Sequence, residues 1–596
     1  MAKEVDIIHT ASTPNSRRKV FLLIFIFGAL IRSINIWQPL DGNIRESWRE
    51  ADVASIARNY CQEGMNIFYP RIDWRGDGPG YAEMEFPALP YLMALNYKVW
   101  GCHEIIGKIL SYCCSLVGFY FFILLALYLL PELAAMAASV FFALNPLTFQ
   151  TANTLQPESS MLMFYILAVY SFIRWMDDNS LKYYSIAIVS TASAILAKAS
   201  AIHIGLFYLL MMYVDKKITF VKNMRVWAFA VLCLAPGFVW YRHAHTLWLR
   251  FGNSLGVSNE SHWVGWDFFT NPYFIKGIIK TELLLVWIPT GLFIILFGLV
   301  KTKLNRVIKL CLIWLSAISL YYFLVARTAA DGWAFYYHIV SVPPVAILFG
   351  NGFNAIFQQG MNFNPKRLLL LSSLLAVMII LFGLTGLQEY VNPFSTMLLL
   401  AISGIVCFSS LQSLKIKNSP RSNPRNMPWA KYVLAVMLYL IPTTFFVMAY
   451  QIVARIHSLD YDRLQTLHEF AKEIEGIIPK DTLIISSGGR CTDRDGYPVA
   501  YNASYMFYWL NRKGFSICEE EQNIETVQTL IKRGARFYLV EKSSLERKPG
   551  FLNALSDQFQ LLNECSEAYL FHLLPFKANV SLNPPEKFRS LPLSGK

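Results

Sequence analysis

The sequence predicts a polytopic α-helical membrane protein that ends in a separate α/β domain. Of its 596 residues, 55% are hydrophobic and only 16% are charged, and the mean hydropathy is +0.38. Apolar runs about long enough to cross ~30 Å of hydrocarbon recur between residues 20 and 453, which is not typical of a soluble protein. The remaining residues are polar and mixed. These observations predict a membrane domain over 1–453 and a smaller domain over 454–596.

The first apolar run, at about 20–38, predicts a retained membrane anchor. It follows Arg17, Arg18 and Lys19 and lacks a small-residue cleavage site. Because basic residues that flank a span stay on the cytoplasmic side, the chain is expected to emerge on the outer side at Trp37.

Twelve further apolar runs predict spans, which makes about 13 in all. They lie near 109–130, 133–150, 159–175, 183–198, 201–214, 226–243, 280–300, 309–326, 338–353, 368–387, 394–412 and 432–453. Alternation from a cytoplasmic N-terminus puts nearly every basic cluster between spans on the inner side. The same alternation predicts that a long first loop, 39–101, and the C-terminal domain lie outside.

The first loop opens with a charged stretch at 45–58. Its apolar residues recur at helical spacing, which predicts a short amphipathic helix lying at the bilayer surface. Acids held near a low dielectric are candidates for acid/base chemistry or cation binding, and a solvated helix with internal ion pairs is the alternative. A second surface or re-entrant helix is expected after Pro87 and Pro90, ending at Trp100.

Local patterns in the C-terminal domain predict an α/β fold. Apolar runs at 482–487 and 537–540 predict buried strands. The segment 523–533 predicts a helix with Asn523 as its N-cap.

The ten cysteines form no metal-type CxxC pair. Cys491, Cys518 and Cys565 lie in the polar C-terminal part and could include one disulfide in an oxidising compartment. The net charge of +13 could suggest nucleic acid, but Lys and Arg lie mostly in short loops between apolar runs, where they set orientation. No nucleic-acid partner is expected.

Polar residues mark the predicted outer ends of several spans. Pro157 breaks a helix and lets Glu158 face an outer cavity, although a helix-start acid is the alternative. Lys198 lies between two apolar runs, where a lysine either snorkels to the interface or binds an anion such as a lipid-linked phosphate. His243 and His338 lie in aromatic clusters typical of interface belts, but could bind phosphate, metal or sugar.

These residues are far apart in sequence, yet all fall on the predicted outer side together with Asp52 and Glu85. A pocket of carboxylates, a lysine and aromatic rings at the bilayer edge suits a substrate with an anionic head and a polyprenyl tail. In such a pocket a carboxylate would deprotonate an acceptor hydroxyl while cations hold the leaving phosphate.

The order of these features resembles the GT-C glycosyltransferases, in the branch of the protein O-mannosyltransferases and the lipid A aminoarabinose transferase. The chain has an acidic first outer loop whose helix ends Ala-Ser-Ile-Ala-Arg, an acid after the third span and a lysine after the fifth. It also has a Tyr-Tyr-His-x4-Pro-Pro segment and a C-terminal domain. The likeness covers about 15–350, and the tail matches only in position and type.

The resemblance implies that an acid of the first loop is the catalytic base. Aligning 53–58 with the family's segment puts Arg49 and Glu50 where the family has an Asp-Glu pair, so Arg49 departs from the pattern. Asp52 is therefore the preferred base and Glu50 the second choice. The resemblance also makes Glu158 the second acid. Some relatives use a divalent cation and others none, so no cofactor is certain.

The resemblance further places Lys198 near the donor phosphate, Glu85 before a proline motif, and Tyr337 and His338 along the cavity. The candidate substrate-binding residues are Arg49, Arg58, Glu85, Lys198, His243, Tyr337 and His338.

Together these patterns predict an inverting GT-C transferase in the cell inner (plasma) membrane. It would move a sugar from a polyprenyl-phosphate donor to a lipid, glycan or protein acceptor on the outer face. The alternative is a transporter or flippase of lipid-linked sugars, which acids and lysines at mid-span would favour. A receptor would leave Glu158 and Lys198 without a role.

Overall fold

The computed structural model divides the chain into two compact units. One, the helical unit, takes Met1–Asp73, Pro79–Gln465 and Thr492–Ala500, and the other, the C-terminal unit, takes Trp74–Gly78, Thr466–Cys491 and Tyr501–Lys596. Within these bounds the structure describes residues 14–34, 36–37, 39–40, 47–255, 272–302, 304–324, 329–330, 332–358, 461–487, 489–492, 496, 504–546 and 548–574. The predicted domain boundary at 453/454 and the last three predicted spans lie outside the described residues.

The described part of the helical unit is built almost entirely from helices. Its α-helices are α1 (Pro14–Arg32), α2 (Ser47–Glu63), α3 (Ala88–Trp100), α4 (Glu104–Leu129), α5 (Glu132–Leu144), α6 (Pro146–Gln150), α7 (Glu158–Asp178), α8 (Leu181–Ala197), α9 (Ile204–Lys216), α10 (Met224–Phe251), α11 (Pro272–Thr281), α12 (Pro289–Lys301), α13 (Arg306–Leu324) and α14 (Val342–Gln358). Short 3-10 helices cover Ala199–His203, Lys217–Lys222 and Gly332–Ser341, and a π-helix covers Glu282–Trp287.

Three of the described helices, α4, α7 and α10, are long and apolar enough to cross a membrane. The helices α5 and α8 and the segment Ala199–Asp215 are apolar but shorter. The structure therefore confirms a helical protein with apolar helices, and the predicted count of about 13 spans is not confirmed within the described residues.

Two predicted spans are interrupted, which their hydropathy did not reveal. The run at 133–150 breaks at Asn145, and the run at 280–300 breaks at Ile288; a proline begins the next helix in both cases. Proline fits the first turn of a helix because the missing N–H has no partner there in any case.

The side chain of Asn145 joins these two breaks. Its Oδ1 accepts a hydrogen bond from the Leu147 N–H at 3.0 Å, and its Nδ2 donates to the carbonyls of Leu285 and Val286, both at 3.1 Å. One buried amide thus pairs backbone groups that the interrupted helices leave unpaired.

The environment of α2 corrects the prediction of a surface helix. Every side chain from Arg49 to Tyr60 is buried, so α2 lies inside the helical unit and is neither solvated nor spread on a bilayer. Burial of so charged a helix is possible because its arginines pair with acids elsewhere in the first loop: Arg49 with Glu85, and Arg58 with Asp73.

Backbone contacts fix the segment after α2 in place. A parallel pair of two-residue strands, β1 (Ala82–Glu83) and β2 (Asn253–Ser254), anchors its start. The Met84 carbonyl then accepts a hydrogen bond from Trp240 Nε1, and the Phe86 N–H donates to the Leu196 carbonyl, both at 3.0 Å. Glu85 is thus held between two anchored neighbours.

The C-terminal unit is an α/β domain. Its sheet has the order β4 (Lys513–Ile517), β3 (Leu483–Ser487), β5 (Ala535–Glu541), β7 (Ala568–His572), β6 (Gln560–Glu564). The strand β3 runs parallel to β4 and β5, whereas β7 is antiparallel to β5 and β6. The helices are α15 (Tyr461–Ile474), α16 (Ser504–Leu510), α17 (Ile524–Lys532), α18 (Lys542–Leu545) and α19 (Pro549–Gln558), where α15 begins in the helical unit.

The local predictions for this unit are confirmed. The strands β3 and β5 cover the two predicted runs, and α17 has Asn523 as its N-cap, with Oδ1 accepting from the Thr526 N–H at 2.8 Å. Cys491 and Cys518 form a disulfide with a Cα–Cα distance of 5.1 Å, and Cys565 is a free thiol.

Gly352 allows α14 to pack closely against α12. A Cβ added at Gly352 in α14 would lie 2.4 Å from the Ile294 carbonyl oxygen of α12. We expect Gly352→Ala to lower the free energy of unfolding by about 1–3 kcal/mol, because one of two packed backbones must move. The matched control is Gly205→Ala in α9, where the Cβ meets nothing within 4 Å and helix propensity should stabilise by up to ~1 kcal/mol. Thermal unfolding in detergent measures both, and equal midpoints for the two variants would contradict the packing.

Candidate functional site

The centre of the site is a buried ion pair between Glu158 and Lys198. Glu158 is the first residue of α7, directly after Pro157, and Lys198 is the residue at which α8 ends. The Lys198 ammonium donates to Glu158 Oε1, and both side chains are buried. This arrangement excludes the alternative that Lys198 snorkels to the interface.

Two tyrosine rings complete the surroundings of this lysine. The Lys198 Nζ atom lies 4.3 Å from the ring centre of Tyr336 and 4.1 Å from that of Tyr337, within cation–π range. Glu158 Oε2, by contrast, has no hydrogen-bond partner among the described residues. The pair therefore leaves one carboxylate oxygen able to accept a further hydrogen bond.

A second buried ion pair, between Arg49 and Glu85, lies beside the first. Both side chains are about one-tenth exposed. Burial alone would lower the pKa of Arg49, but the negative charges of Glu85 and Glu158 hold that pKa well above its usual value. Arg49 therefore stays positively charged, and both Glu85 and Glu158 attract it electrostatically.

Asp52 lines a cavity together with Arg49 and Glu85. Its side chain is buried in the cavity wall. The cavity lining also includes Pro157 and Ala197, which directly precede Glu158 and Lys198. The polar lining residues are Arg49, Asp52, Glu85 and Ser160, and the apolar ones are Val53, Met84, Phe86, Ala88, Leu89, Pro90, Pro157, Ala197 and Leu255.

Glu50 belongs to the same helix but not to the lining of this cavity. Its Oε1 accepts a hydrogen bond from the Leu155 N–H at 2.7 Å, and its Oε2 has no partner among the described residues. Burial raises the pKa of Glu50 to about 7, although the charge of Lys108 and the Leu155 hydrogen bond oppose that rise. A carboxyl group with such a pKa exchanges a proton readily near neutral pH.

Arg58 is held away from the cavity lining. Its guanidinium pairs with Asp73, and Asn59 Nδ2 donates to the other Asp73 oxygen at 2.8 Å. These contacts fasten α2 to the following loop, so the position of Arg58 favours a structural role over substrate binding.

His243 also lies outside the lining of the described cavity. Its Nε2 is 2.8 Å from the Phe68 carbonyl oxygen, and its ring packs edge-on against Phe68 and Tyr69. His243 therefore fits the predicted aromatic cluster better than it fits a residue that contacts a phosphate or a sugar.

His338 is buried with both ring nitrogens in use. Nδ1 lies 2.7 Å from Glu282 Oε1, and Nε2 lies 2.8 Å from the Ala329 carbonyl oxygen. His338 therefore does not reach toward a substrate. It immediately follows Tyr336 and Tyr337 and helps to fix the 3-10 helix that carries these rings.

Glu282 is a residue that the sequence analysis missed. Its Oε1 also accepts from Tyr322 Oη at 2.8 Å and Ser341 Oγ at 2.9 Å, and its Oε2 accepts from Trp287 Nε1 at 3.0 Å. The signal was available, because an acid at the start of a predicted span is costly unless it has partners.

A protein-family model matches part of the chain. Residues 81–241 match the family model of dolichyl-phosphate-mannose-protein mannosyltransferase, and this segment contains Glu85, Glu158 and Lys198. No curated protein sequence matches the chain.

Solved structures show the same fold over nearly the whole length. ArnT from Cupriavidus metallidurans bound to undecaprenyl phosphate aligns with a TM-score of 0.58 and 12% identity, covering 93% of this chain and 98% of that one. The apo state of the same protein gives 0.56 and 12%, covering 94% and 98%. The chain therefore has the GT-C fold. The GT-C resemblance drawn from the sequence is thereby confirmed.

The carboxylates of the candidate site are also potential metal ligands. Among the described residues, the one group of three potential ligand atoms within 4.8 Å of one another is Cys491, Cys518 and Glu520, and the two cysteines there form a disulfide. In the candidate site, Glu85 pairs with Arg49, and Glu158 pairs with Lys198.

The buried Glu158–Lys198 pair makes a prediction about stability. Glu158→Gln or Lys198→Met alone should each lower the free energy of unfolding by about 3–5 kcal/mol, because the remaining charge stays buried without its partner. The double variant should recover most of that loss. Thermal unfolding of the four proteins measures this cycle.

The matched control for that cycle is the exposed pair Arg174–Asp178 in α7, whose loss should cost less than about 1 kcal/mol. Single variants at Glu158 and Lys198 that are no less stable than Arg174→Gln would contradict the buried pair.

The pKa of Glu50 makes a prediction about pH. Its folded-state value of about 7 exceeds the usual 4.5, so the stability that neutral Glu50 contributes is complete below pH 4.5 and is lost as pH rises through 7. Glu50→Gln should remove a decline of roughly 3 kcal/mol between pH 4.5 and 8. Unfolding midpoints against pH measure this difference, with Glu63→Gln on the same helix as the control. Parallel curves for wild type and Glu50→Gln would show that Glu50 titrates normally.

Proposed function

We propose that this protein is a glycosyltransferase that moves a sugar from a polyprenyl-phosphate donor to a hydroxyl or phosphate of a lipid, glycan or protein. The observation that carries the proposal is a cavity lined by Asp52 and the Arg49–Glu85 pair, whose wall also includes the residues directly before the buried Glu158–Lys198 pair. The structurally similar ArnT, whose crystal structure contains undecaprenyl phosphate, supports this class of donor.

The lining of the cavity supports a donor that is charged at one end and apolar at the other. Arg49 and the nearby Lys198 supply positive charge for a phosphate, whereas most of the remaining lining is aliphatic or aromatic. A phosphate that approached Lys198 would compete with Glu158 for its ammonium. Donor binding would then shift Lys198 from an internal ion pair to a charge-assisted contact with the ligand.

In the proposed reaction Asp52 is the base. Its carboxylate takes the proton of an acceptor hydroxyl, and the oxygen attacks the anomeric carbon of the sugar as the bond to the phosphate breaks. The electron pair of that bond leaves with the polyprenyl phosphate, whose charge Arg49 and Lys198 stabilise. A single displacement of this kind inverts the anomeric configuration. Asp52 is preferred to Glu50 because Asp52 lines the cavity.

The site is proposed to open on the outer face of the inner membrane, with a cytoplasmic N-terminus and an extracytoplasmic C-terminal unit. The basic clusters between spans support this orientation. The Cys491–Cys518 disulfide supports it independently, because disulfides persist in oxidising compartments. No finding favours a transporter or flippase.

The test of the proposal is transfer or donor hydrolysis by the purified protein with a panel of polyprenyl-phosphate sugars. We expect Asp52→Asn to lower kcat by about 100- to 10,000-fold, as loss of a general base does. Glu50→Gln should lower it far less, and Lys198→Ala should raise the apparent Kd of the donor.

Asp178→Asn, at the far end of α7, serves as the control and should keep full turnover. Unchanged turnover in both Asp52→Asn and Glu50→Gln would refute the catalytic assignment. Unchanged donor affinity in Lys198→Ala would refute the phosphate contact.

A further inference from the structure

Another cavity of the helical unit, called the distal cavity below, lies at the far end of α7 from Glu158. It is lined by residues near the end of α7, near the end of α9, in the 3-10 helix Lys217–Lys222 and around the start of α10. Its volume of about 370 Å³ is in the range of sites that bind small molecules. Because α7 has 21 residues and each adds about 1.5 Å, the two ends of α7 are about 30 Å apart. The distal cavity is therefore separate from the candidate site.

The distal cavity lies at the level of the lipid head groups. Both α7 and α10 are long and apolar enough to cross a membrane, and the cavity is located where α7 ends and α10 begins. The ends of a membrane-crossing helix meet the boundary between the hydrocarbon and the head groups. A ligand bound there can keep a polar group in the head-group layer and an apolar tail in the hydrocarbon.

The lining of the distal cavity suits such an amphiphile. Its polar residues, Asn179, Asn223 and Arg225, are exposed, whereas its apolar residues are buried or partly buried. The apolar lining residues are Trp175, Met176, Met212, Phe220 and Val226. The polar groups therefore border the opening, and the apolar side chains form the floor.

Packing and hydrogen bonds fix the wall of the distal cavity. The Trp175 ring stacks on Phe229 with 5.2 Å between the ring centres, and it packs edge-on against Tyr184 at 4.9 Å. Tyr184 Oη in turn donates to the Arg225 carbonyl at 2.9 Å. Asn223 Oδ1 accepts from the Arg225 N–H at 3.0 Å, which holds these two polar residues side by side. The wall is thus built by the protein itself.

The charge around the opening is positive. The two acids that end α7 already have arginine partners, because Asp177 pairs with Arg306 and Asp178 pairs with Arg174. The described lining contains Arg225 and no acid. The exposed cations on the lining segments or within three residues of them are Lys182, Lys217, Lys222 and Arg225. An anionic head group is therefore attracted to this opening.

We propose that the distal cavity binds an anionic phospholipid of the surrounding membrane. Arg225 and the side-chain amides of Asn179 and Asn223 bind the phosphate, and the acyl chains run past Trp175 and Phe220 into the hydrocarbon. Basic pockets between membrane helices recognise acidic head groups in this way. A polyprenyl phosphate has similar chemistry, but under the proposed function it reacts at the other end of α7. The phospholipid is therefore the occupant that the position of the cavity favours.

The experiment uses the purified full-length protein in detergent, freed of bound lipid. Native mass spectrometry measures the affinity for phosphatidylglycerol and for phosphatidylcholine with the same acyl chains. We expect wild type to bind phosphatidylglycerol about tenfold more tightly, since several cations border the opening. Arg225→Gln should weaken that binding about fivefold, which is the effect of one cation near a head group, and Arg225→Lys should restore most of it.

The matched control is Arg250→Gln, which removes an exposed arginine from the last turn of the same helix. It should leave the affinity for phosphatidylglycerol unchanged. Equal affinity of wild type for the two lipids would overturn the proposal. Equal losses in Arg225→Gln and Arg250→Gln would also overturn it, because they would show attraction by the overall charge and not a site.

A photoactivatable phosphatidylglycerol tests the position of the bound lipid. Its crosslinks should map to residues 175–179 and 212–226. Met176→Trp, which enlarges a lining side chain and keeps every charge, should remove them, and Arg225→Gln at an exposed position should reduce them. Crosslinks that map elsewhere would overturn the proposal.

Undecaprenyl phosphate in excess is the competing ligand. The crosslinks of phosphatidylglycerol should persist in its presence, and their loss would assign the distal cavity to the donor lipid and overturn the proposal. None of these measurements requires turnover. A failure of this site would therefore leave the proposed reaction untouched, and an inactive enzyme would leave this test intact.

Discussion

The arrangement of the helical unit depends on the burial of opposite charges that lie far apart in the sequence. Glu158 and Lys198 are both removed from water, and each would be costly there without the other. Their pairing requires the start of α7 to meet the end of α8. It also requires the 3-10 helix with Tyr336 and Tyr337 to lie over the ammonium group. Three separate segments of the chain are thereby brought to one point.

The first loop also depends on a buried ion pair, the one between Arg49 and Glu85. Arg49 can be buried in α2 only because the segment after β1 brings Glu85 to it, and hydrogen bonds on either side of Glu85 hold that segment. The two ion pairs also interact electrostatically, because the negative charge of Glu158 acts on Arg49. The cavity that Arg49 and Glu85 line is mostly apolar, with its charges fixed in place by ion pairing before any ligand binds.

The sequence analysis identified the residues of the candidate site better than it identified their burial and their partners. Glu158 and Lys198 were found because each is a polar group at the edge of an apolar run, where burial without a partner is costly. Asp52 and Glu85 were found in the first loop, with the help of the family resemblance. The burial of α2 could not be predicted, because its charge pattern is the same whether its partners are water or distant acids. Glu282 went unnoticed although it lies at the start of an apolar run, where an acid is costly without partners. Its four donors, from residues up to 59 positions away, are evident only in the structure.

Helix geometry explains why the family's paired acids do not transfer simply to this chain. Neighbours at i and i+3 or i+4 share a face of a helix, so Arg49, Asp52 and Val53 all line the cavity. Glu50 is two positions from Asp52, or roughly 200° around the axis, which turns it toward Leu155 and Lys108. A motif comparison that ranks these acids by sequence position alone would choose Glu50. The helical period puts Arg49 beside the cavity instead and leaves Asp52 as the acid of α2 that a substrate in the cavity can touch.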